Sequence, residues 1–245
     1  MTVASGAPAG MDLAASRRRL VLDSLGVGLA AIGFALVYGL SARAAGFSVI
    51  EAAAMSTILF AGAAQFSTVG SVAAGFAWPA IVAQVASINA RHALYATALA
   101  PYLEGRPRWV RAIMAHVLTD EAFALAYAHF RRIGRADLPG YWWAAIGVTF
   151  IPWNLATLAG WALGVAIPDP TRFGLDVVFP VAMAGLAVGL IHGRAEVVAA
   201  IVGVLLAVVA GLGWGPFAGV VAGGLGGPLA ALLAMRAGGP AWDLT

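Results

Sequence analysis

Residues 52–90 carry no charged side chain and no histidine, a run long enough for two membrane crossings at about 20 residues each. Asn89, Arg91 and His92 then restore polarity while still inside apolar sequence. An arginine this deep is costly, and it is retained where it meets a partner, a water-filled cavity or a substrate. These features describe a membrane protein, and the embedded cation points towards transport.

Composition agrees. The chain is 62% hydrophobic and 10% charged, against about 25% charged in soluble domains, and its mean hydropathy is +0.90. Gly 31 and Pro 12 suit membrane helices that approach closely or break, because neighbouring helices can satisfy freed backbone groups. With Cys 0 there is no disulfide framework, thiolate metal site or cysteine nucleophile. All 14 basic residues are arginine, which together with the alanine richness reads as coding bias. A formal charge of +3, scattered along the chain, offers nothing to nucleic acid.

Apolar segments fall at roughly 21–40, 49–74, 77–101, 111–130, 141–166, 173–191, 196–213 and 216–235, each near the length of a crossing. Ala42-Arg43-Ala44 mimics a signal-peptidase site, but the preceding apolar core exceeds the about 7–15 residues of a signal peptide, so a retained first helix is expected. The expected fold is an all-α integral membrane protein, a polytopic helical bundle of about 7–8 transmembrane helices, some broken. Residues 1–20 form a cytoplasmic N-terminal tail, 21–236 a single transmembrane domain and 237–245 a C-terminal tail. Arginine bias favours cytoplasmic termini, with Arg17, Arg18, Arg19, Arg131, Arg132, Arg135, Arg194 and Arg236 inside. Eight crossings leave Arg43, Arg106, Arg108, Arg111 and Arg172 outside. The loop Arg106-Pro107-Arg108 would instead be cytoplasmic if segment two or three were re-entrant. A faint repeat relates Gly39, Glu51 and Gly62 to Gly164, Asp176 and Gly185, an arrangement known in transporters and also expected by coincidence in so glycine-rich a chain.

The polar residues of three segments carry the chemistry. In segment two Ser56, Ser67 and Ser71 share one helical face, ordinary packing glue, whereas the amide of Gln65 has more hydrogen-bonding capacity to satisfy. In segment three Gln84, Ser87, Arg91 and Tyr95 fall within an arc of about 80°, with His92 beside it and Asn89 turned away. In segment four His116, Thr119, Asp120, Phe123 and Tyr127 line one face, and Glu121 points about 100° from Asp120. One pairing joins Arg91 to Asp120 and leaves Glu121 or His92 free to titrate, as a proton relay requires. The plain alternative is a structural ion pair with the second acid in an aqueous vestibule.

Other chemistries fit less well. His116, Asp120 and His92 could be imagined around a metal, but no ligand motif is present. There is no Gly-x-Ser-x-Gly and no outstanding Ser–His spacing for a serine hydrolase. With no Walker A sequence or dinucleotide-binding pattern, transport would be secondary, with no cofactor.

Gly39-Leu40-Ser41, Met55-Ser56 with Phe60-Ala61-Gly62-Ala63-Ala64-Gln65-Phe66, Asn89-Ala90-Arg91-His92-Ala93-Leu94-Tyr95 and Leu118-Thr119-Asp120-Glu121 occur in an ordered series that resembles the AzlC family. Trp153-Asn154 with Gly160 and Gly164 fits its fifth segment, and the resemblance covers about residues 25–190. It implies the large subunit of a branched-chain amino acid permease that exports valine, leucine, isoleucine and sometimes methionine. It further implies a small AzlD-type membrane subunit as partner and the bacterial inner membrane as location.

A zwitterion needs a cation or exposed amides for its carboxylate, an acid or carbonyls for its ammonium, and an apolar pocket. Arg91 or a broken-helix amino terminus suits the first need, and Asp120 or Glu121 the second. Phe66, Phe123 and Trp153 suit the third, although aromatics at helical spacing are commonly plain core. The candidate binding or translocation residues are therefore Gln65, Asn89, Arg91, His92, Asp120, Glu121, Trp153 and Asn154. The leading expectation is a proton-coupled exporter in the lipid bilayer. Its rivals are a transporter or channel for another small solute and an intramembrane enzyme built on His116, Asp120 and Glu121.

Overall fold

The computed structural model describes residues 12–165, 188, 191 and 193–236. These residues are helical or turn, with no strand among them. They fall into two compact units, 1–179 and 180–245, which are taken separately. Segment 173–191, the repeat partners Asp176 and Gly185, Pro180 and the C-terminal tail lie wholly or mostly outside the described residues.

In the first unit α1 (Leu13–Ala44) is one unbroken helix. A second long pass is α8 (Leu138–Trp142), a π-helical stretch Trp143–Phe150, and α9 (Ile151–Leu163). The π turn precedes Pro152, which has no N–H to give the preceding turn. The two passes run parallel and touch through backbone. A Cβ on Gly39 would strike the Thr157 carbonyl, one on Gly160 the Leu36 carbonyl, and Gly28 lies against Val148. Small residues permit such close crossings, where dispersion and not the hydrophobic effect holds helices together. At the far end Arg43 lies over the Trp161 ring at 4.2 Å, and Trp161 Nε1 donates to the Phe47 carbonyl at 2.9 Å.

Segment two does not cross. A Ser48–Glu51 capping box starts α2 (Val49–Ala54), which continues as a π turn, Met55–Leu59. The chain turns at Phe60, whose φ of 37° puts a bulky residue in the left-handed region, and resumes as α3 (Gly62–Ala73). Going down, Phe47 meets Trp161, Ser56 bonds Thr157 at 3.0 Å, and Phe60 packs on Phe150 at 4.7 Å. Coming back, Gly62 lies under Trp153 and Phe66 meets Tyr38. The turn at Gly75 leads into α4 (Trp78–Asn89), which runs antiparallel to α3. Gln84 Nε2 donates to Ser67 Oγ at 2.6 Å, and Ser71 Oγ donates to Gln84 Oε1 at 2.8 Å.

Segment three crosses with a kink at Ala90, continuing as α5 (Arg91–Leu99) and a 3₁₀ turn, Ala100–Leu103. Segment four doubles back like segment two, from the opposite end. It forms α6 (Arg108–His116), turns at Val117–Thr119, and returns as α7 (Asp120–Ile133). Tyr95 pairs with Phe123 and Tyr102 with Phe130, so α5 and α7 descend side by side. Arg106 and Arg135 then line one cavity of about 720 Å³, and with Leu13 and Asp137 a neighbouring one. Both hairpin tips reach Phe150: Phe60 from one end, His116 at 6.2 Å from the other.

Two of the expected crossings, 49–74 and 111–130, are thus re-entrant hairpins, each helix too short to span the roughly 30 Å hydrocarbon core. Among the described residues four helices are long and apolar enough to cross alone. The expected external placement of Arg106, Arg108 and Arg111 is corrected as well. With segment two re-entrant, they stand with Arg17, Arg18, Arg19, Arg131, Arg132 and Arg135 at the end where α1 begins. In the described first unit Arg43 is the arginine at the other end.

The second unit is a helical hairpin, α10 (Arg194–Trp214) and α11 (Pro216–Arg236), joined at Gly215. Its seam is small residues: a Cβ on Gly219, Gly223 or Gly227 would press on the carbonyls of Ala207, Gly203 or Ala199 respectively.

The hairpins make a topological prediction that a Cys-free chain tests cleanly. A single cysteine replacing Glu104 should react with a membrane-impermeant maleimide from the cytoplasmic face, and one replacing Ala74 from the opposite face. Labelling of both from one face would exclude this arrangement.

Candidate functional site

The helix breaks put unsatisfied backbone and polar side chains at mid-depth of the first unit. Irregular backbone at that depth is tolerated where protein buries it or a cavity solvates it. Two clusters result.

The charged cluster forms where the kink of α4–α5 meets the start of α7. Thr119 caps α7 by accepting from the Ala122 N–H at 3.2 Å, and Asp120 and Glu121 occupy the first turn, where the helix dipole favours anions. Arg91 Nη2 meets Asp120 Oδ2 at 2.9 Å, and the Tyr95 hydroxyl donates to Oδ1 at 2.5 Å. Each carboxylate oxygen of Asp120 therefore has one protein partner. Arg91 Nε and Asn89 Oδ1 are buried without a partner. The kink releases the Asn89 carbonyl, and His92 Nδ1 lies 3.0 Å from it. A carbonyl only accepts, so Nδ1 carries a proton and donates it. Glu121 is exposed.

The second cluster is neutral and occluded. Gln65 is fully buried on α3, with Oε1 and Nε2 unpartnered. Trp153, 9% exposed, leaves Nε1 unpartnered, and a Cβ on Gly62 would fall 2.9 Å from its ring. Tyr38 stacks on Trp153 at 6.5 Å between centroids, and its fully buried hydroxyl also lacks a partner. Asn154 does something different: its Nδ2 donates to the Phe150 carbonyl at 2.8 Å and steadies the π turn that both hairpin tips touch.

The structure thus gathers Asn89, Arg91, His92 and Asp120, with Glu121 on the adjoining turn. It sets Gln65 beside Tyr38, whose ring stacks on Trp153, and ties Asn154 to the Phe150 carbonyl. Tyr38 was not among the sequence candidates; its one signal was a place beside Gly39. Among the described residues no three ligating side chains converge as a metal site would need, and His116 faces Phe150 instead of Asp120.

A third polar group lies where α1 begins. Arg17 forks onto Asp137 at 2.8 and 2.6 Å, and His129 Nε2 meets Asp137 Oδ2 at 2.9 Å. His129 Nδ1 is 2.9 Å from Ser16 Oγ, and Arg132 Nε donates to that oxygen at 3.4 Å. The connectivity resembles a hydrolytic triad, which sequence spacing had not revealed because Ser16 lies 113 positions from His129. Ser16 and His129 are fully buried, and Arg17 holds Asp137, so Ser16 offers no face to a substrate. The group ties the start of α1 to the end of α7. The Arg17 guanidinium, helped by His129, holds the Asp137 carboxyl down at about 2 against the opposing effect of burial.

The sequence model described as AzlC protein matches residues 26–167. The inner membrane protein YgaZ of Escherichia coli (strain K12) is 32% identical over 165 residues, 67% of this chain and 64% of that protein. An uncharacterized membrane protein of Archaeoglobus fulgidus is 34% identical over 109 residues, 44% of this chain and 48% of that protein. The chain therefore spans less than two thirds of the length of these relatives. No solved structure matches it.

The Asp137 clasp predicts a pH signature. A carboxyl lowered from 3.8 to about 2 stabilises the fold above pH 4 and loses that contribution as pH falls through about 2. Asp137→Asn should lower the thermal midpoint at neutral pH, by the equivalent of about 1.5–3 kcal/mol for a hydrogen bond to a charged group. It should also flatten the acid limb relative to wild type in a detergent melt. Parallel acid limbs would remove the clasp from the stability of the protein.

Proposed function

The chain belongs to the AzlC family of membrane proteins, and from that premise we propose that it is a secondary transporter exporting branched-chain amino acids across a bacterial inner membrane. The observation that carries the reading is the pair of re-entrant hairpins that enter from opposite ends and meet on Phe150. Discontinuous helices with polar residues at mid-depth are how secondary transporters build a site reachable from either side. A compact ATP-driven motor has no counterpart in the sequence, and the buried Ser16 argues against an intramembrane hydrolase.

In this reading the Arg91–Asp120–Tyr95 contact is a latch between the crossing helix α5 and the hairpin helix α7. Its breakage and remaking accompany the change of access. His92 and Glu121 flank the latch and are the groups proposed to carry the coupling proton, since Asp120 is already held by two partners. Asn89 stands at the kink and Asn154 braces the π turn. The small AzlD-type subunit is the proposed partner.

The direct test loads cells with a valine-containing dipeptide, which hydrolyses inside and becomes toxic unless exported. Co-expression of this chain with the small membrane protein encoded beside it should restore growth, and neither alone should. No rescue by the pair would count against branched-chain export, whereas full rescue by the chain alone would remove the partner.

Arg91 and Asp120 supply a second prediction. Arg91→Gln leaves Asp120 short of its cation, so the single variant should melt lower than wild type. Adding Asp120→Asn should recover the melt, because it removes the carboxylate that the first change leaves without its cation. Efflux by the double variant should still fall about 10-fold or more, the rate equivalent of one charge-assisted hydrogen bond. Wild-type efflux from the folded double variant would reduce the latch to a structural ion pair.

A further inference from the structure

We propose that the occluded cluster of Tyr38, Gln65 and Trp153 beneath the amino end of α3 binds the carboxylate of the transported amino acid. The inference rests on the transport reading and assigns that function a site apart from Arg91.

Buried polar atoms in folded proteins are almost always paired. Here Tyr38 Oη, both amide atoms of Gln65 and Trp153 Nε1 are buried and unpartnered. The four atoms belong to three different helices, so no local turn explains them. Tyr38 and Gln65 are fully buried, and the Gln65 amide is near enough to the Tyr38 hydroxyl to act on it electrostatically, although the two stand outside hydrogen-bonding geometry. Trp153 stacks on the Tyr38 ring and covers Gly62, the first residue of α3.

The inventory of these atoms selects the ligand. Trp153 Nε1 only donates, Gln65 Nε2 donates twice, and the Tyr38 hydroxyl donates once. The first turn of α3 adds the N–H groups of Gly62, Ala63 and Ala64. No side chain caps them, and the first intrahelical bond runs from the Gln65 N–H to the Ala61 carbonyl at 2.8 Å. Donors outnumber acceptors, so the visiting group must be rich in acceptor oxygens and compact. No cationic side chain belongs to the cluster. A single negative charge would be met by the helix N-terminus and its N–H groups, as anions commonly are. A carboxylate satisfies each of these conditions. Gly62 has no side chain of its own, so the Trp153 ring lies directly against the start of α3, and the Trp153 and Tyr38 rings supply an apolar wall for the attached carbon chain. Arg91 already neutralises Asp120 through one guanidinium nitrogen, whereas the Tyr38–Gln65–Trp153 cluster holds no acid of its own.

The experiment measures ligand-induced shifts in melting temperature for the purified full chain with its small subunit, using three probes. L-leucine has both charged groups, 4-methylpentanoate has only the carboxylate, and isoamylamine has only the ammonium. Wild type should be stabilised by leucine and by 4-methylpentanoate, and not by isoamylamine. Gln65→Leu and Tyr38→Phe should each weaken both shifts, raising the apparent dissociation constant about tenfold or more, as loss of a well-placed hydrogen bond to a charged group does. The same variants should melt at or above the wild-type temperature without ligand, because each removes a buried group that lacks a partner. A residue serving only structure would move the unliganded melt downwards.

Tyr38→Phe deletes one oxygen and keeps the ring, so it carries the test should Gln65→Leu fail to fold. Leucine binding that survives unchanged in both variants would overturn the carboxylate site and leave the transport reading in place. Stabilisation of wild type by isoamylamine but not by 4-methylpentanoate would overturn it in favour of an ammonium site. No response of wild type to any probe, together with no dipeptide rescue, would bring down the transport reading and this site with it.

Discussion

The backbone contact between α1 and α9 is the constraint from which the rest of the first unit follows. Gly39 and Gly160 let two parallel helices meet main chain to main chain, with Thr157 and Leu36 carbonyls at the points of contact. In a bilayer there is no hydrophobic gain from joining two apolar helices, so this close approach and the bonds that flank it must hold the pair. Trp161 secures the pair to Phe47 at one end, while the Ser16–His129–Asp137–Arg17 clasp secures α1 to α7 at the other. The resulting spine offers one surface to each hairpin.

Each hairpin lowers itself along that spine and stops at the same level. Phe60 holds an unfavourable left-handed conformation because its ring is buried against Phe150, which sits at the end of the π turn. The π turn in turn depends on the proline that follows it and on Asn154, which gives the Phe150 carbonyl a side-chain donor. From the other side the α6–α7 turn ends in Thr119, whose side chain caps the returning helix. Two strained or irregular segments thus support one another at mid-depth. Exposed amide and carboxylate groups would be untenable there on an unbroken lipid-facing helix.

The functional groups sort by what the breaks release. At the kink of α4–α5 the freed Asn89 carbonyl is taken by His92, and the neighbouring Arg91 reaches across to Asp120. At the start of α3 the freed N–H groups are left uncapped beside Tyr38, Gln65 and Trp153. One break therefore carries charges that neutralise each other, and the other carries donors in excess. The first suits a contact that changes with conformation, and the second suits an anionic group arriving from outside the protein.

Hydropathy alone established that this is a helical membrane protein and where its apolar segments lie, because apolar length is a local property of the chain. The ordered motifs from Gly39 to Asn154 established the family, and helical periodicity anticipated the Arg91–Asp120 pairing now seen at 2.9 Å. Direction was not legible. An apolar stretch of 25 residues scores the same whether it crosses the bilayer or doubles back, and the reversal at Phe60 exists because Phe150, ninety positions away, holds its ring. The same blindness left two ends open for the Arg106-Pro107-Arg108 loop, because its side depended on whether segment two or three doubled back. Tyr38 was equally hidden, since a tyrosine in an apolar helix reads as core packing. Only the fold decides that Gln65 and Trp153, from two other helices, stand beside it with their polar atoms unpaired.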